Sequence, residues 1–163
     1  MERKLELKDI CGYLPYVLKY QGFEESEFIY EIDPSDQNIV FVNSGKYTIS
    51  QIKPILRPLS DINKSIIHNG KEEVSIVELA RIAFPVGNWE LKNEVCVSNN
   101  LVFVYDEREE TKGFCMLNYN YGVPAIIYNQ YQLFDYLHSR FIDYRGLIDA
   151  GLAVSVYDLE NNP

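Results

Sequence analysis

The side chains best suited to chemistry lie together near the C-terminus, in the stretch of residues 129–153. This stretch holds His138, one of only two histidines in the chain, together with Asp135, Asp143 and Arg145. A histidine can exchange a proton near neutral pH, carboxylates can act with it as acid or base, and an arginine can bind an anionic group. These four residues therefore form a candidate polar site for a small enzyme or a ligand-binding domain.

The same stretch also has a purely structural explanation. Asn129 and Gln132 have the spacing of a helix capping box, and Tyr128 and Leu133 fall on the positions of a hydrophobic staple. One apolar stripe then recurs at helical spacing, made of Leu133, Phe134, Leu137 and Phe141. On this interpretation His138 is a hydrogen-bonded residue at the margin of the stripe, and Arg140 and Arg145 form local ion pairs with Asp135, Asp143 and Asp149. The pattern favours packing over catalysis.

The residues after this helix predict two further elements. Asp143 is placed to cap a second, shorter helix that ends at Gly151, and Leu147 and Leu152 have the spacing of the contact that accompanies a Schellman cap. From Leu152 onward apolar residues alternate, which predicts a final strand. The whole stretch is thus interpreted as an α-α-β packing unit.

A hairpin and a buried helix are predicted in the middle of the chain. Asn69 and Gly70 tolerate the positive φ of a type I′ turn, so they predict a tight hairpin between short apolar flanks. Ser75 stands three residues before Glu78, the spacing of a capping box, and the apolar run over residues 76–84 predicts a buried helix.

Strands are predicted where β-branched and aromatic residues cluster. An antiparallel pair is predicted from "EFIYEI" and "NIVFVN", with "KYTIS" as a third short strand. The segment "PILRPLSD" is predicted to be an edge or connecting segment rather than a central strand, because it contains two prolines. Strands with a turn at residues 98–100 are predicted within "EVCVSNNLVFVYDEREETKGFCMLNYNYG", and this hairpin is the candidate centre of the sheet. A short first helix is predicted in "LKDICGYLP".

These elements predict one α+β domain spanning residues 1–163. We expect a mostly antiparallel sheet with two or three helices packed on one side. A chain of 163 residues with 47% apolar residues is long and apolar enough to bury a single core.

The acidic composition excludes several partners. Fifteen Lys and Arg against twenty-four Asp and Glu give a net charge of −9, so direct nucleic-acid binding is not expected. The opening residues "MERKLELKDI" lack the apolar core of a secretory signal, and no apolar run has the length that spans a bilayer. The expected location is cytoplasmic, with no membrane partner.

Familiar catalytic motifs are missing from the sequence. It contains no phosphate-binding loop, dinucleotide fingerprint, nucleophile elbow or H-E-x-x-H pair. Cys11, Cys96 and Cys115 form neither a C-x-x-C motif nor a metal-binding spacing, and they are expected to be reduced. No cofactor and no metal is therefore predicted, and the absence of motifs weighs against an enzyme without excluding an unfamiliar active site.

Thirteen tyrosines are the one unusual feature of the composition. Tyr119 and Tyr121, with Tyr16 and Tyr20 near the start, are the candidate partner-binding residues, because exposed tyrosines are favoured as interface anchors. The alternative is that these rings line the boundary of the core and keep only their hydroxyl groups in water.

Four segments resemble a known group of sequences. They are "KDICGYLPYVLKY", "PILRPLSDI", "HNGKEEVSIVELARIAF" and "QYQLFDYLHSRFIDYRGLIDAGLAV". They resemble small uncharacterised proteins encoded in phages, prophages and related mobile elements of Bacteroidetes gut bacteria, although Val17 stands where members of that group often carry Gly. The resemblance implies a genomic setting and no catalytic residue.

Two functions are expected from these observations. The first is an accessory protein of phage or mobile-element type that acts without catalysis by binding another protein, with an acidic surface that could act as a nucleic-acid mimic. The alternative is a small enzyme or ligand-binding domain whose site is built from Asp135, His138, Asp143 and Arg145. The sequence does not predict the identity of the partner or the oligomeric state.

Overall fold

The computed structural model describes residues 3–21, 26–33, 35–42, 45–108, 112–118, 120, 124–125 and 127–160. These residues form a single α+β domain whose strands pair mostly antiparallel, which confirms the predicted fold class. They contain four α-helices where two or three were predicted, and three sheets where one was predicted. None of these helices has the length and apolar character needed to cross a bilayer.

The elements run in the following order. The helices are α1 (Leu7–Ile10), α2 (Ser75–Ala83), α3 (Gln130–Ser139) and α4 (Val156–Glu160). The strands are β1 (Lys19–Gln21), β2 (Ser26–Ile32), β3 (Ile39–Val42), β4 (Gly45–Thr48), β5 (Lys53–Pro58), β6 (Ser65–His68), β7 (Lys71–Val74), β8 (Glu90–Lys92), β9 (Val95–Ser98), β10 (Leu101–Asp106), β11 (Gly113–Asn118), β12 (Pro124–Ala125), β13 (Ile142–Asp143) and β14 (Val154–Ser155).

Contacts group the chain into two compact units. Unit 1 comprises residues 1–59 and 137–163, and unit 2 comprises residues 60–136. The helix α3 crosses the boundary, so its last turn belongs to unit 1 and the preceding turns belong to unit 2. Unit 1 is therefore built from the two ends of the sequence.

Unit 1 is organised around a seven-stranded sheet in the order β13-β5-β1-β2-β3-β4, with β14 also paired to β5. The predicted antiparallel pair β2 and β3 and the third strand β4 are confirmed.

In the turn between β2 and β3, one carboxylate oxygen of Asp33 accepts hydrogen bonds from the backbone N–H and the hydroxyl of Ser35. The other lies 2.8 Å from Lys46 Nζ. The hydrogen bond from Lys46, followed by those from Ser35, lowers the pKa of Asp33.

The prediction of an edge or connecting segment at β5 is wrong. This strand lies inside the sheet, antiparallel to β1 and parallel to both β13 and β14. Pro54 and Pro58 occupy its second and last positions. Each ladder is only two residue pairs long, so the missing N–H of a proline removes little from the sheet.

The final strand is much shorter than predicted. Only Val154 and Ser155 pair with β5, and the chain then turns into α4. Ser155 Oγ accepts a hydrogen bond from Tyr157 N, and Ser155 N donates to Asp158 Oδ2, at 3.3 Å each. These two bonds form a capping box at the start of α4, so the strand ends here although the sequence continues to alternate.

Unit 2 contains a five-stranded antiparallel sheet in the order β12-β11-β10-β9-β8 and the separate hairpin β6-β7. The strand β10 is the middle strand, as predicted for the centre of a sheet. Asn69 and Gly70 have φ of 50° and 76°, which confirms the predicted tight turn. Phe103 is fully buried, and its ring centroid lies 6.1 Å from that of Trp89 and 5.5 Å from that of Phe114.

The helix α2 forms as predicted to within one residue, but its predicted capping box is wrong. Val74 is the N-cap, since β7 stays paired through Val74 with Ser65 and Ser75 becomes the first helical residue. The Ser75 hydroxyl is buried and has no hydrogen-bond partner in the described part of the chain. Glu78 instead pairs with Arg81.

Candidate functional site

The helix α3 begins at the predicted place with different contacts. The side-chain nitrogen of Asn129 donates to Gln132 Oε1 and to the backbone oxygen of Ile82, at 3.0 Å each, so the two side chains bond to each other. Tyr128 is 91% exposed, which makes the predicted staple with Leu133 wrong. Leu133 and Leu137 are fully buried, as the stripe predicts.

The predicted second helix does not form. Ile142 and Asp143 pair as a strand with Arg57 and Pro58, and the residues that follow form turns. Asp143 and Leu147 nevertheless each accept a hydrogen bond from a backbone N–H five residues further along the chain. Asp143 Oδ2 accepts from Ile148 N at 2.7 Å, and Leu152 N donates to Leu147 O at 2.8 Å, the long bond of a Schellman cap.

His138 lies in a close-packed aromatic setting in unit 1. Its Nε2 is 2.9 Å from the Tyr144 hydroxyl oxygen. The Tyr13 ring stands edge-on to the imidazole, with centroids 4.7 Å apart, and the Tyr13 hydroxyl donates to Ile142 O at 2.9 Å. The ring also lies against Gly12, where an added Cβ would come within 2.6 Å of Nδ1 and closer still to two other ring atoms.

Arg145 bonds to the same hydroxyl. Its Nε donates to the Tyr144 hydroxyl oxygen at 3.1 Å, and its guanidinium carbon lies 5.2 Å from the centroid of that ring. Burial raises the pKa of Tyr144, and the nearby Arg145 charge opposes the shift. The Tyr144 hydroxyl therefore stays protonated at neutral pH and joins the histidine to the arginine.

Two of the four predicted polar-site residues are brought together in this way. His138 and Arg145 meet through Tyr144, and we call these three side chains the His-Tyr-Arg cluster. Asp143 is buried and uses one oxygen for Ile148 N, while its Oδ1 has no hydrogen-bond partner among the described residues. Asp135 is exposed on the part of α3 that belongs to unit 2.

The local ion pairs predicted for Arg145 are wrong. No ion pair in the described residues includes Arg145, because Asp143 bonds to a backbone N–H and Asp149 lies exposed in a turn. Sequence reasoning also missed Gly12, Tyr13 and Tyr144. Tyr144 gives one signal, its position next to Arg145, whereas nothing in the sequence links Gly12 to a histidine 126 positions later.

The tyrosines predicted to bind a partner have different environments. Tyr119 and Tyr121 lie outside the described residues, and Tyr16 is half-buried. Tyr20 is only 3% exposed and lies 6.4 Å from Tyr47 between ring centroids, so its predicted exposure is wrong. The assignment of Tyr16, Tyr119 and Tyr121 to a partner stays a prediction.

Two other tyrosines are exposed in the described part of unit 2, and one of them, Tyr128, was predicted to belong to a hydrophobic staple. Tyr128 is 91% exposed and Tyr131 is 74% exposed, three residues apart at the start of α3. We call this pair the tyrosine face. Its backbone is held from below, because Gln130 Nε2 donates to Phe114 O at 2.7 Å and Gln130 Oε1 accepts from Phe114 N at 3.3 Å.

Acidic residues are spread over both units. Unit 1 contains thirteen acidic and nine basic residues, and unit 2 contains eleven and six, which gives net charges of −4 and −5. Five acids of the described part of the chain are buried, namely Asp9, Asp33, Asp61, Glu73 and Asp143. These five carboxylates are not available to imitate the phosphates of a nucleic acid.

No metal-binding group of three or more His, Cys, Asp or Glu side chains occurs in the part of the chain that the structure describes. Comparison with family models, with curated proteins and with solved structures found no match to this chain. The resemblance to proteins of phages and mobile elements stays a prediction.

Proposed function

We propose that this protein acts without catalysis by binding another protein, and that the tyrosine face in unit 2 is its contact surface. The observation that carries the proposal is the exposure of two neighbouring tyrosines, at 91% and 74%. Large aromatic rings are usually buried at least in part, and tyrosine is enriched in the contact residues that dominate binding energy.

The contacts beneath the tyrosine face support this role. Gln130 bonds to both backbone groups of Phe114, and Asn129 bonds to Ile82 O. These bonds fix the backbone on which Tyr128 and Tyr131 stand. A partner therefore meets rings whose backbone is already ordered, which lowers the entropy lost on binding.

The charge of unit 2 narrows the class of partner. Its net charge of −5 repels a phosphate backbone, so the partner is expected to be a protein rather than a nucleic acid. The proposal does not include a nucleic-acid-mimic surface, because several acids are buried and the excess charge is shared between the two units. A phage or mobile-element setting and a cytoplasmic location remain part of the proposal, on the strength of the sequence alone.

The proposal is tested by affinity capture from a lysate of a gut Bacteroidetes species, read by mass spectrometry. The bait is compared with the double variant Tyr128→Ala, Tyr131→Ala and with Tyr157→Ala, a matched change at a tyrosine in unit 1 that is 39% exposed. Loss of two contact tyrosines typically costs about 2 kcal/mol or more, so enrichment of the partner should fall at least about tenfold.

Tyr157→Ala should retain the partner. A partner that is enriched equally by wild type and by the double variant would refute the tyrosine face as the contact surface. Circular dichroism of all three proteins checks that the substitutions leave the fold intact.

A further inference from the structure

Arg145 in unit 1 is a half-buried cation that forms no ion pair with any described residue. Its interactions with the described residues are the hydrogen bond from Nε to the Tyr144 hydroxyl and the stacking on the ring of the same residue. Both involve a neutral phenol. A guanidinium commonly pairs with a carboxylate or phosphate, and the described residues supply neither at Arg145.

The hydrogen bond to Tyr144 leaves a defined set of donors. A guanidinium has five N–H groups, and the bond from Nε uses one of them. The four N–H groups on the two Nη atoms remain, and they form the end-on fork that matches two oxygens of one anionic group. Both Nη atoms of this fork are available, and no described residue is recorded as their acceptor.

Neighbouring side chains hold this fork in position. Tyr144 is fixed between Arg145 Nε at 3.1 Å and His138 Nε2 at 2.9 Å. His138 is itself packed against Gly12 and edge-on to Tyr13. A donor group whose supports are packed in this way loses little freedom when it binds a ligand, which favours recognition of a small anion.

We propose that the His-Tyr-Arg cluster is a binding site for a small oxyanion, a carboxylate or a phosphate group, held by the two Nη atoms of Arg145. Tyr144 and His138 are positioning residues that aim the guanidinium. The site lies in unit 1 and uses none of the residues of the tyrosine face. The proposal of anion binding can therefore be refuted without refuting the proposed protein binding, and the reverse is also true.

Arg57 provides a matched control in the same unit. It is also half-buried and takes part in no ion pair within the described residues, but no side-chain hydrogen bond to a tyrosine or histidine holds it. The proposal therefore predicts anion binding at Arg145 and not at Arg57, although the two substitutions remove the same charge.

The test is an NMR titration of the full chain with sodium phosphate and, separately, with sodium acetate, with sodium chloride added to keep the ionic strength constant. The signals followed are the Arg145 Nε–H and the backbone amides of residues 11–13 and 144–146. Saturable shifts at these signals are expected with one or both anions, and the comparison distinguishes phosphate from carboxylate recognition.

Substitutions separate recognition by the fork from attraction to charge. Arg145→Gln should weaken binding at least about tenfold, because charge-assisted hydrogen bonds are lost, while Arg57→Gln should change it less than about twofold. Arg145→Lys keeps the charge and loses the fork, and Tyr144→Phe removes the hydroxyl that aims it, so each should also weaken binding if its spectrum shows a folded protein.

Shifts that rise linearly with both anions would overturn the proposal, and so would equal losses for Arg145→Gln and Arg57→Gln. Undiminished binding by Arg145→Lys would show attraction to charge alone and would overturn it as well.

Discussion

Gly12 is the position where one added carbon should disturb the His-Tyr-Arg cluster most directly. Its φ lies outside the left-handed region, so the backbone itself accepts alanine. The obstacle is the imidazole of His138, since a Cβ at Gly12 would come within 2.6 Å of Nδ1 and closer to two further ring atoms. In Gly12→Ala the ring must therefore move away from its place between Tyr13 and Tyr144.

The expected loss of stability follows from these contacts. Forcing extra volume into a packed site costs about 1–3 kcal/mol, and losing the bond between His138 and Tyr144 costs about 1 kcal/mol. Alanine restricts the unfolded chain and returns about 0.4–1 kcal/mol. Gly12→Ala should therefore lower the free energy of unfolding by about 2 kcal/mol, a large share of a typical total of about 5–15 kcal/mol.

A double-mutant cycle tests this reasoning by guanidinium unfolding of wild type, Gly12→Ala, His138→Ala and the double variant. His138→Ala removes the three atoms nearest to the added methyl group, so Gly12→Ala should cost about zero in that background. Gly151→Ala is the control: its φ is 68° with no atom within 4 Å of an added Cβ, so its strain should be the same in both backgrounds. An equal cost of Gly12→Ala with and without His138 would refute the steric argument.

Three further predictions concern single residues. Ser75→Ala should leave the free energy of unfolding unchanged or raise it by up to about 1 kcal/mol in urea unfolding, because the buried hydroxyl has no hydrogen-bond partner among the described residues. A loss of about 1 kcal/mol would instead indicate that this hydroxyl caps the helix. Asp33→Asn should lower the thermal midpoint at pH 7. The folded pKa of Asp33 lies below its unfolded value, so the gap in thermal midpoint between wild type and variant should shrink as the pH falls below about 4. A gap that does not depend on pH would contradict the assigned role of the bond from Lys46. Burial raises the pKa of Cys96 to about 11, so iodoacetamide at pH 8 should modify exposed Cys11 at least about 100-fold faster than Cys96. Mass spectrometry of timed samples measures the two rates. Comparable rates would mean that Cys96 is accessible.

Several elements could be predicted from the sequence because their signals are local. The Asn69-Gly70 turn depends on the φ preference of two adjacent residues, and the strands β2, β3 and β4 follow from short runs of β-branched and aromatic residues. The stripe of α3 follows from helical spacing alone, and Leu133 and Leu137 are buried as it requires. Each of these elements needs information from a window of about ten residues.

Strand pairing accounts for several of the wrong predictions. Ser75 is not the N-cap of α2, because β7 stays paired through Val74 and Val74 takes that position. The predicted second helix does not form, because Ile142 and Asp143 pair with β5 as a strand. The same pairing places β5 inside the sheet in spite of its prolines. Local propensity is worth only fractions of a kcal/mol per residue, so burial and strand pairing readily override it.

The candidate polar site shows the same division. Composition alone was sufficient to name His138 and Arg145 as candidate site residues, together with Asp135 and Asp143. Tertiary structure alone decided that they meet through Tyr144, that Asp143 turns to a backbone N–H, and that Gly12 makes room for the imidazole. The bond from Tyr13 to Ile142 O joins residues 129 positions apart, and no local pattern encodes such a contact because it depends on how the two ends of the chain pack into one unit.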